Sequence, residues 1–533
     1  MGNNLSGSLA IDLIAKAESH PDFPVVTFEN HPWPDEVLTY ADIVIKGNKL
    51  ARAIGKMGLC RGDVFSIIMR NHPETVIAMY AASVLNAVLM PIDHQMKGDQ
   101  LYGQIKDSGS KGIIADGEFM DSVEEILKNG ADVRLIGCLH QTVEQRGPVA
   151  ADYPDLREIL EGPEVPMLAP RAGSVTEPFQ INYNWEPGVN PRSIPIGYDR
   201  IRQACFLAEN AWRYVPQDRL YTGISLSHWN AQMITLFPAL YQKIPAVISR
   251  QFSKNRIWEF CHHHRCTTFS LLGGMLLSIY AEPPRPDDRD HSVGVVLSTG
   301  TPRGLREAFQ NRFGVVIHEW YGSGEGGFAH NPPGAGPAGS FGKPMPGMIE
   351  MKVIQEDGAE CAPYEIGELI LRNGCGATGR MCQAVPAAPG AKTPKGWLRS
   401  GDMGHQDAKG WFYFDFAKGD GLRRKGEFIL PEQVEGVMAG HPDVIDVCVY
   451  GISLPSGEPG DSELVAAIVP TPDRIPDIKN IFHYSLARLE RNQVPAYIQI
   501  VPEIPKSASE KNLSQYLKKK FGTKAENVYR FEE

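Results

Sequence analysis

The chain has 533 residues, 42% of them hydrophobic, and a net charge of −10 from 63 acidic and 53 basic side chains. This length exceeds what one hydrophobic core organises, and the acidic balance disfavours nucleic acid as a partner. Nine cysteines without CxxC spacing indicate reduced thiols, and no secretory signal is recognisable, so we expect a cytoplasmic protein.

Helices and strands alternate in the first part of the chain. Residues 39–55 have the apolar spacing of a capped helix, and a buried strand follows at 65–69. Residues 75–92 carry no charge, but Asn86 and Pro91 interrupt them, so a helix followed by a strand is expected instead of a membrane span. This alternation predicts parallel strands covered by helices. The other elements expected here are helices at 76–85 and 99–108 and strands at 88–91 and 112–115.

The remainder of the chain divides into a connection and three structured regions. Residues 147–178 are rich in Pro, Gly, Asp and Glu without a sustained period, which predicts a surface connection. Alternation resumes over 201–320, and short strands such as 349–354 and 367–371, separated by turn residues, predict a small β subdomain at about 346–416. The predicted fold is α/β, with a large N-terminal domain (1–419) of layered, mostly parallel sheets and helices, then a small α+β domain (420–533).

Two glycine-rich motifs follow predicted strands. Tyr321-Gly322-Ser323-Gly324-Glu325 comes after a strand at 315–318, where backbone can approach a flat ligand closely, although a plain glycine turn has the same composition. Asp402 lies between Gly401 and Gly404. A carboxylate there can accept hydrogen bonds from two hydroxyls, as the acidic residue on a ribose does, or can be an ordinary hairpin aspartate.

Several segments together carry a resemblance to a known family. In their order and spacing they resemble an acyl-CoA synthetase of the adenylate-forming enzymes, with the crotonobetaine/carnitine-CoA ligases as the most similar group. The resemblance covers nearly the whole chain. The segments are Leu38-Thr39-Tyr40, Pro91-Ile92-Asp93, Ser225 to Ala231 around His228, Asp420 to Glu435, and Ile504 to Lys511.

The resemblance implies a two-step reaction. A carboxylic acid and ATP would form an acyl-adenylate and pyrophosphate, the small mobile domain would rotate about a hinge at Asp420, and CoA would displace AMP. Lys511 would stabilise charge in the adenylation transition state, Glu325 would hold Mg²⁺ beside the phosphates, and His228 would line the acyl pocket. The implied partners are ATP or AMP, Mg²⁺, CoA and a small carboxylic acid or its CoA thioester, bound by a monomer or homodimer.

The same resemblance places the other site residues. An aromatic residue and a methionine in the acyl pocket favour an apolar, medium-sized acid. The basic run 423–425 would contact a CoA phosphate or form only a solvated face, and Lys506 is expected to be an exposed surface charge. The implied cofactor contacts are Arg192, Tyr321, Gly322, Ser323, Asp402, Arg423, Arg424 and Gly426, and the implied pocket residues are His228, Trp229, Gly273, Gly274 and Met275.

One segment departs from the family pattern. A small-residue loop that ends in Pro-Lys-Gly normally wraps the triphosphate with backbone amides. The corresponding segment here is 183–193, where Arg192 replaces the lysine and Pro187 removes an amide donor. A carboxylate beside a triphosphate is repelled by about 4 kcal/mol at 4 Å and a dielectric near 20. The other departures are Trp185 for a hydroxyl residue, Glu186, Val189 and Ser193 for glycines, and Ala417 for a ribose-contacting arginine.

Residues 261–266 (Cys-His-His-His-Arg-Cys) contain many soft ligands. Zinc ligands are normally spaced along the chain, whereas adjacent side chains at a helix end point in different directions. The sequence therefore disfavours a metal site in this run.

Three functions remain open from the residues. The leading one is an acyl-CoA ligase that uses ATP, with Arg192 supplying the cation that the altered loop needs. The second is an ATP-independent enzyme that hydrolyses or transfers acyl groups of a CoA thioester on the same scaffold, for which the altered loop is the argument. The third is an inactive ligand-binding relative, which the retained Lys511 and hinge disfavour.

Overall fold

The structure is a computed structural model, and the chain packs into two compact units. One unit comprises 1–351, 371–398 and 410–412, and the other comprises 352–370, 399–409 and 413–533. The domain boundaries expected from the sequence stay a prediction. The structure describes residues 6–139, 153–174, 177–184, 192–302, 304–323, 326–332, 335–373, 396–417, 422–424, 427–452, 462–471, 475–506, 512–522 and 525–531.

Helices and strands alternate along much of the described chain. The α-helices are α1 (Leu9–Ser19), α2 (Tyr40–Lys56), α3 (Pro73–Leu85), α4 (Gly98–Ser108), α5 (Met120–Lys128), α6 (Leu156–Glu161), α7 (Tyr198–Leu207), α8 (Phe237–Gln242), α9 (Ile257–His263), α10 (Gly273–Ala281), α11 (Leu305–Phe313), α12 (Pro431–Met438), α13 (Ile478–Leu486) and α14 (Ser514–Lys520). Short 3₁₀ turns (Gly117–Phe119, Arg491–Gln493) and π-helical turns (Ala208–Trp212, Ala231–Leu236) add to these.

The strands run throughout the described chain. They are β1 (Pro24–Glu29), β2 (Glu36–Thr39), β3 (Val64–Ile68), β4 (Val88–Ile92), β5 (Gly112–Asp116), β6 (Arg134–Leu139), β7 (Pro178–Asn184), β8 (Arg192–Gly197), β9 (Leu220–Thr222), β10 (Ala246–Ser249), β11 (Thr268–Leu272), β12 (Val295–Thr299), β13 (Val316–Ser323), β14 (Gly326–His330), β15 (Ser340–Pro344), β16 (Ile349–Ile354), β17 (Gly367–Asn373), β18 (Leu398–Gln406), β19 (Phe412–Ala417), β20 (Leu422–Arg424), β21 (Glu427–Ile429), β22 (Val444–Ile452), β23 (Glu463–Pro470), β24 (Tyr497–Ile500) and β25 (Val528–Arg530).

The first sheet confirms the alternation predicted from the sequence. Its order is β6-β5-β3-β4-β7-β8, in which all neighbours are parallel except the β7–β8 hairpin. Helix α2 begins after Thr39, whose side chain caps the backbone of Asp42 while the Asp42 carboxylate caps Thr39 in return. The uncharged stretch 75–92 is the body of α3 followed by β4. In the part of the chain that the structure describes, no helix is long and apolar enough to cross a membrane.

The second sheet brings the carboxyl ends of several strands to one edge. Strands β1, β10, β9, β11, β12 and β13 lie side by side in this order and are parallel. Strand β2 pairs antiparallel with β1, and β14 pairs antiparallel with β13. Buried aliphatic and aromatic side chains of both sheets and their helices join in one core, which fixes the positions of the strand ends.

Two local expectations were wrong. The connection predicted over 147–178 contains helix α6, because the Asp155 side chain accepts a hydrogen bond from the Arg157 amide while Leu156 and Leu160 are buried. The strand expected at 315–318 instead continues as β13 to Ser323 and pairs Tyr321 with Ala329 of β14. The strand pairing satisfies backbone groups that a loop would expose.

The unit that contains the C-terminal residues has its own core. Strands β22-β23-β24-β25 form a mixed sheet, with β23 and β24 parallel and the other neighbours antiparallel. Side chains of α12 and α13 pack with this sheet, among them Val434, Met438 and Ile481. The strands predicted near 349–354 and 367–371 are present as β16 and β17.

Candidate active site

Several of the predicted pocket residues lie at one edge of the second sheet. His228 follows β9, Gly273 follows β11, and Tyr321 lies near the end of β13. Because β9, β11, β12 and β13 are mutually parallel, these residues come to the same edge although they are far apart in sequence. In open α/β sheets this is the edge where ligands bind.

The loop that carries His228 is held by Asn71, a buried residue that the sequence analysis missed. The Asn71 amide donates to the carbonyls of Ile224 (3.0 Å) and Ser249 (2.9 Å), and its oxygen accepts from the Leu226 amide at 2.7 Å. These bonds join the loop after β9 to the end of β10. The available signal was a lone asparagine between a buried strand and a helix that starts with proline.

His228 is exposed to solvent in the loop after β9, although nearby protein atoms displace part of the hydration of its ring. Loss of hydration lowers the pKa of His228, and the carboxylate of Asp93 opposes that shift. The ring is therefore neutral at pH 7. Its Nδ1 accepts from the backbone amide of Asn230 at 3.1 Å, so the proton of the neutral ring is on Nε2.

Gly273 is required by a close backbone approach. A Cβ atom at this position would lie 1.8 Å from the carbonyl oxygen of Gly300, which follows β12. The absence of a side chain thus lets the start of α10 touch the neighbouring strand end. Gly274 is exposed, whereas Met275 is fully buried in the core, so its predicted contact with an acid stays a prediction.

Glu319 is a second buried polar residue that the sequence analysis missed. Its carboxylate accepts from the Thr301 amide at 2.9 Å, which fixes the residue after Gly300. Burial raises the pKa of Glu319 to about 7, with the Thr301 hydrogen bond opposing the shift, while burial lowers the pKa of neighbouring His318 to about 3. A glutamate within the apolar run 315–320 was the signal that the sequence offered.

The motif that begins at Tyr321 starts with a stacked aromatic ring. The Tyr321 ring is mostly buried and stacks on Phe341 with centroids 4.6 Å apart and planes at 26°. Gly322 is exposed beside it, and Ser323 ends the strand. Glu325, the expected Mg²⁺ ligand, lies outside the described residues.

Asp402 lies in the other unit, within β18. The Asp402 amide donates to Ser400 Oγ at 3.0 Å, and that hydroxyl donates to the carbonyl of Leu369 on β17 at 2.8 Å. Gly401 has a φ of 78°, a left-handed conformation that glycine adopts without strain. The carboxylate is therefore carried by an ordered strand, and its ribose role stays a prediction.

The family models for the AMP-binding enzyme and for the AMP-binding enzyme C-terminal domain both match this sequence. The first matches residues 13–174 and 190–379, and the second matches residues 433–511. The chain belongs to the AMP-binding enzyme family.

Curated and structural relatives of this AMP-binding enzyme are CoA ligases. It is 25% identical to the medium/long-chain-fatty-acid–CoA ligase FadD17 of Mycobacterium marinum, covering 91% of this chain and 92% of the relative. It is also 25% identical to the indoleacetate–CoA ligase of Aromatoleum aromaticum, covering 89% and 92%. A benzoate CoA ligase from Burkholderia xenovorans shares the fold, with a TM-score of 0.77, 19% identity, and coverage of 96% and 99%.

The segment predicted to be an altered phosphate loop includes the connection between β7 and β8. Tyr183 pairs with Ser193 and Asn184 with Arg192, and the Tyr183 hydroxyl donates to the Asp107 carboxylate at 2.6 Å. Burial and this carboxylate raise the pKa of Tyr183. The family match is interrupted over 175–189, which includes most of the loop. Trp185, Glu186, Pro187 and Val189 lie outside the described residues, as does the side chain of Arg192.

Two basic residues of the C-terminal unit have structural partners. Arg424 donates to the carbonyls of Asn492 (2.9 Å) and Val494 (2.7 Å) and forms an ion pair of 2.7 Å with Glu463. Lys506, expected as an exposed charge, forms an ion pair of 2.6 Å with Asp446. The contacts of Arg424 do not test its predicted contact with a CoA phosphate. Lys511, Asp420, Gly426 and the side chains of Arg423 and Ala417 lie outside the described residues.

Proposed function

We propose that this AMP-binding enzyme is an acyl-CoA synthetase, which joins a carboxylic acid to CoA through an acyl-adenylate while ATP and Mg²⁺ yield AMP and pyrophosphate. The observation that carries the proposal is the meeting of His228, Gly273 and Tyr321 at one edge of the parallel sheet, in a chain of this family. An aromatic residue for a base and a histidine for the acid are then carried by β13 and by the loop after β9, with β11 and β12 between these two strands of one parallel sheet.

The predicted site residues of the chain have distinct roles in the proposal. Tyr321 and Asp402 bind adenosine, one through its ring and the other through the ribose hydroxyls. The neutral His228 borders the acid without adding a charge that would compete for its carboxylate. Lys511 stabilises the negative charge that develops as the acid attacks the α-phosphate, and a carboxylate at Glu325 holds Mg²⁺.

The acid in this proposal has an apolar body of medium size. Trp229 follows His228 directly and packs against Phe237 with ring centroids 5.8 Å apart, so the acyl pocket has an aromatic wall. The relatives that act on medium-chain or long-chain fatty acids and on indoleacetate fit the same chemistry. We further propose a cytoplasmic location, since all cysteines in the described part of the chain are free thiols.

The test uses the purified full-length chain with Mg²⁺, ATP, CoA and a panel of apolar acids. The ligase releases pyrophosphate with acid and ATP alone, and forms the thioester only when CoA is added. Lys511→Ala should lower adenylate formation at least about a hundredfold while thioester formation from a supplied adenylate is retained. Lys506→Ala, which removes a cation paired with Asp446, is the matched control and should leave both steps unchanged. Equal loss of both steps in Lys511→Ala would contradict the role.

A second candidate is ATP-independent handling of an acyl-CoA. It is favoured by the loop over 185–191, in which Glu186 opposes a triphosphate, Pro187 lacks an amide donor, and the family match is interrupted. If the ligase proposal holds, Arg192→Ala abolishes ATP binding and Glu186→Gly strengthens it, as calorimetry with Mg²⁺ can measure. No ATP binding by the wild type together with thioester cleavage would favour the second candidate.

A further inference from the structure

Three potential metal ligands converge at a surface outside the proposed active site. Asp35 lies between β1 and β2, His263 is the last residue of α9, and His264 caps that helix. One ligand atom from each lies within 4.8 Å of the others. Nε2 of His264 is 3.4 Å from Oδ2 of Asp35, which is about the edge length of a tetrahedron with 2.1 Å metal–ligand bonds.

The helix end explains how adjacent histidines come together. The expectation that neighbouring side chains in this run point apart is wrong for this pair, because the His263 and His264 rings have centroids 4.8 Å apart and planes at 89°. Arg265 has a φ of 53°, and the Cys266 amide returns to the Cys261 carbonyl at 2.9 Å, so the helix stops here. The two cysteines are buried and do not belong to the cluster.

The surroundings suit a cation. Asp35 and His263 are exposed, His264 is partly buried, and all three border a cavity of about 440 Å³. The guanidinium of Arg256, which also borders the cavity, makes two hydrogen bonds to Glu259 at 3.0 and 3.1 Å. That guanidinium therefore does not bring an uncompensated positive charge to the three ligands.

We propose that Asp35, His263 and His264 bind a divalent transition-metal ion of the Zn²⁺ type, with a fourth position open to water. Two imidazoles and one carboxylate select such an ion over Mg²⁺, which prefers oxygen ligands throughout. The ion links the β1–β2 loop to the end of α9, so its binding stabilises the folded chain by mass action. The proposal is independent of the proposed ligase activity.

The test is calorimetric titration of the chelator-treated full-length protein with Zn²⁺, supported by the visible absorption of bound Co²⁺. We expect one ion per chain at this site and an affinity at least about tenfold weaker in Asp35→Asn and in His263→Ala. His262→Ala is the matched control, because Nδ1 of His262 lies 3.4 Å from Oδ1 of Asp290 and His262 is not one of the three proposed ligands. The Zn²⁺ affinity of His262→Ala should equal that of the wild type.

Thermal unfolding separates loss of binding from loss of fold. Without metal, the exposed-residue variant Asp35→Asn should melt with the wild type, and Zn²⁺ should raise the melting temperature of the wild type more than that of the variant. Unchanged Zn²⁺ affinity in both Asp35→Asn and His263→Ala, absence of stoichiometric binding, or an equal loss in His262→Ala would overturn the proposal. Undiminished Zn²⁺ binding in excess Mg²⁺ supports it, and full competition by Mg²⁺ contradicts it.

Discussion

Asn71 shows how one buried side chain can position a site that it does not line. Asn71→Ala removes three hydrogen bonds and leaves backbone groups of Ile224, Ser249 and Leu226 without this partner. We expect the free energy of unfolding to fall by about 2 to 3 kcal/mol and kcat/KM for the acid to fall, because the His228 loop loses its anchor. Denaturant titration and steady-state kinetics measure the two effects.

A surface asparagine serves as the control for this prediction. Asn210 donates from an exposed position to the carbonyl of Phe206 at 2.8 Å, so Asn210→Ala should change the free energy of unfolding by less than about 0.5 kcal/mol. Full activity of Asn71→Ala beside a large loss of stability would show that Asn71 supports the fold without positioning the loop.

Glu319 should make stability depend on pH. Its pKa is about 7 in the folded chain and near 4.5 when unfolded, so between these values the folded state binds more protons. The contribution of Glu319 to the free energy of unfolding is complete below about pH 4.5 and is lost as the pH rises through 7. Relative to Glu319→Gln, the wild type should lose about 2 to 3 kcal/mol between pH 5 and pH 8.

Comparison with Glu319→Gln isolates this carboxyl group. The neighbouring His318 titrates in the opposite sense, since its pKa of about 3 makes folding more favourable as the pH rises, but it is common to both proteins. Its effect therefore cancels in the difference. A difference in unfolding free energy that is constant from pH 5 to pH 8 would exclude a raised pKa for Glu319.

The sequence predicted candidate site residues that belong to motifs, whose roles stay predictions, and missed residues that hold the loops through hydrogen bonds. Tyr321 and His228 belong to recognisable segments, and the parallel sheet brings them to one edge. Asn71 and Glu319 each occur singly, and their partners lie on other strand ends. Long-range polar contacts of this kind leave no periodic signal in a sequence.

The β7–β8 hairpin connects the first sheet to the predicted phosphate loop. Tyr183→Phe removes the hydrogen bond to Asp107 at the base of that loop. If ATP is the substrate, we expect KM for ATP to rise several-fold while the free energy of unfolding falls by about 1 kcal/mol or less. Tyr214→Phe, which removes a bond to the Ile234 carbonyl, should leave KM for ATP unchanged. If KM for ATP were the same in both variants, Tyr183 would have no role in ATP binding.

Elements with a strong period were predicted well, and those set by short-range capping or by pairing were not. Helix α2 and strand β16 lie close to their expected bounds because apolar spacing and alternation define them. Helix α6 is short and begins at an aspartate cap within a proline-rich stretch, so its apolar residues are too few to form a recognisable helical period. The extension of β13 depends on its partner β14, which a sequence pattern cannot specify by itself.

The two domains predicted from the sequence, 1–419 and 420–533, allow one prediction that concerns their alternation. A hinge at Asp420 would absorb the rotation in a few backbone dihedral angles. Asp420→Pro restricts φ, so adenylation and thioester formation should be slowed unequally, whereas Asp420→Ala keeps the backbone freedom and should preserve both. Pyrophosphate exchange and thioester formation from a supplied adenylate report the two steps. Full rates for both steps in Asp420→Pro would refute a hinge at this residue.

Fold class and family were accessible from the sequence because the order of elements and motifs extends over nearly the whole chain. The identity of the acid was not, because it depends on the dimensions of a pocket whose walls come from separate strands. Met275 illustrates the difference: its side chain is buried in the core at the start of α10, and its predicted contact with the acid stays a prediction. Position along a strand does not define the direction of a side chain at a helix start.

The β7–β8 hairpin is closed at its base, so the segment that connects the two strands can be exchanged without moving either strand. Asn184 and Arg192 are cross-strand partners, so the chain leaves and re-enters the sheet at adjacent points whatever lies between them. A glycine-rich stretch from a ligase relative spliced between them would preserve the register of both strands and their hydrophobic faces. Substitutions confined to this connection can therefore change what it binds while the two sheets keep their strands in place.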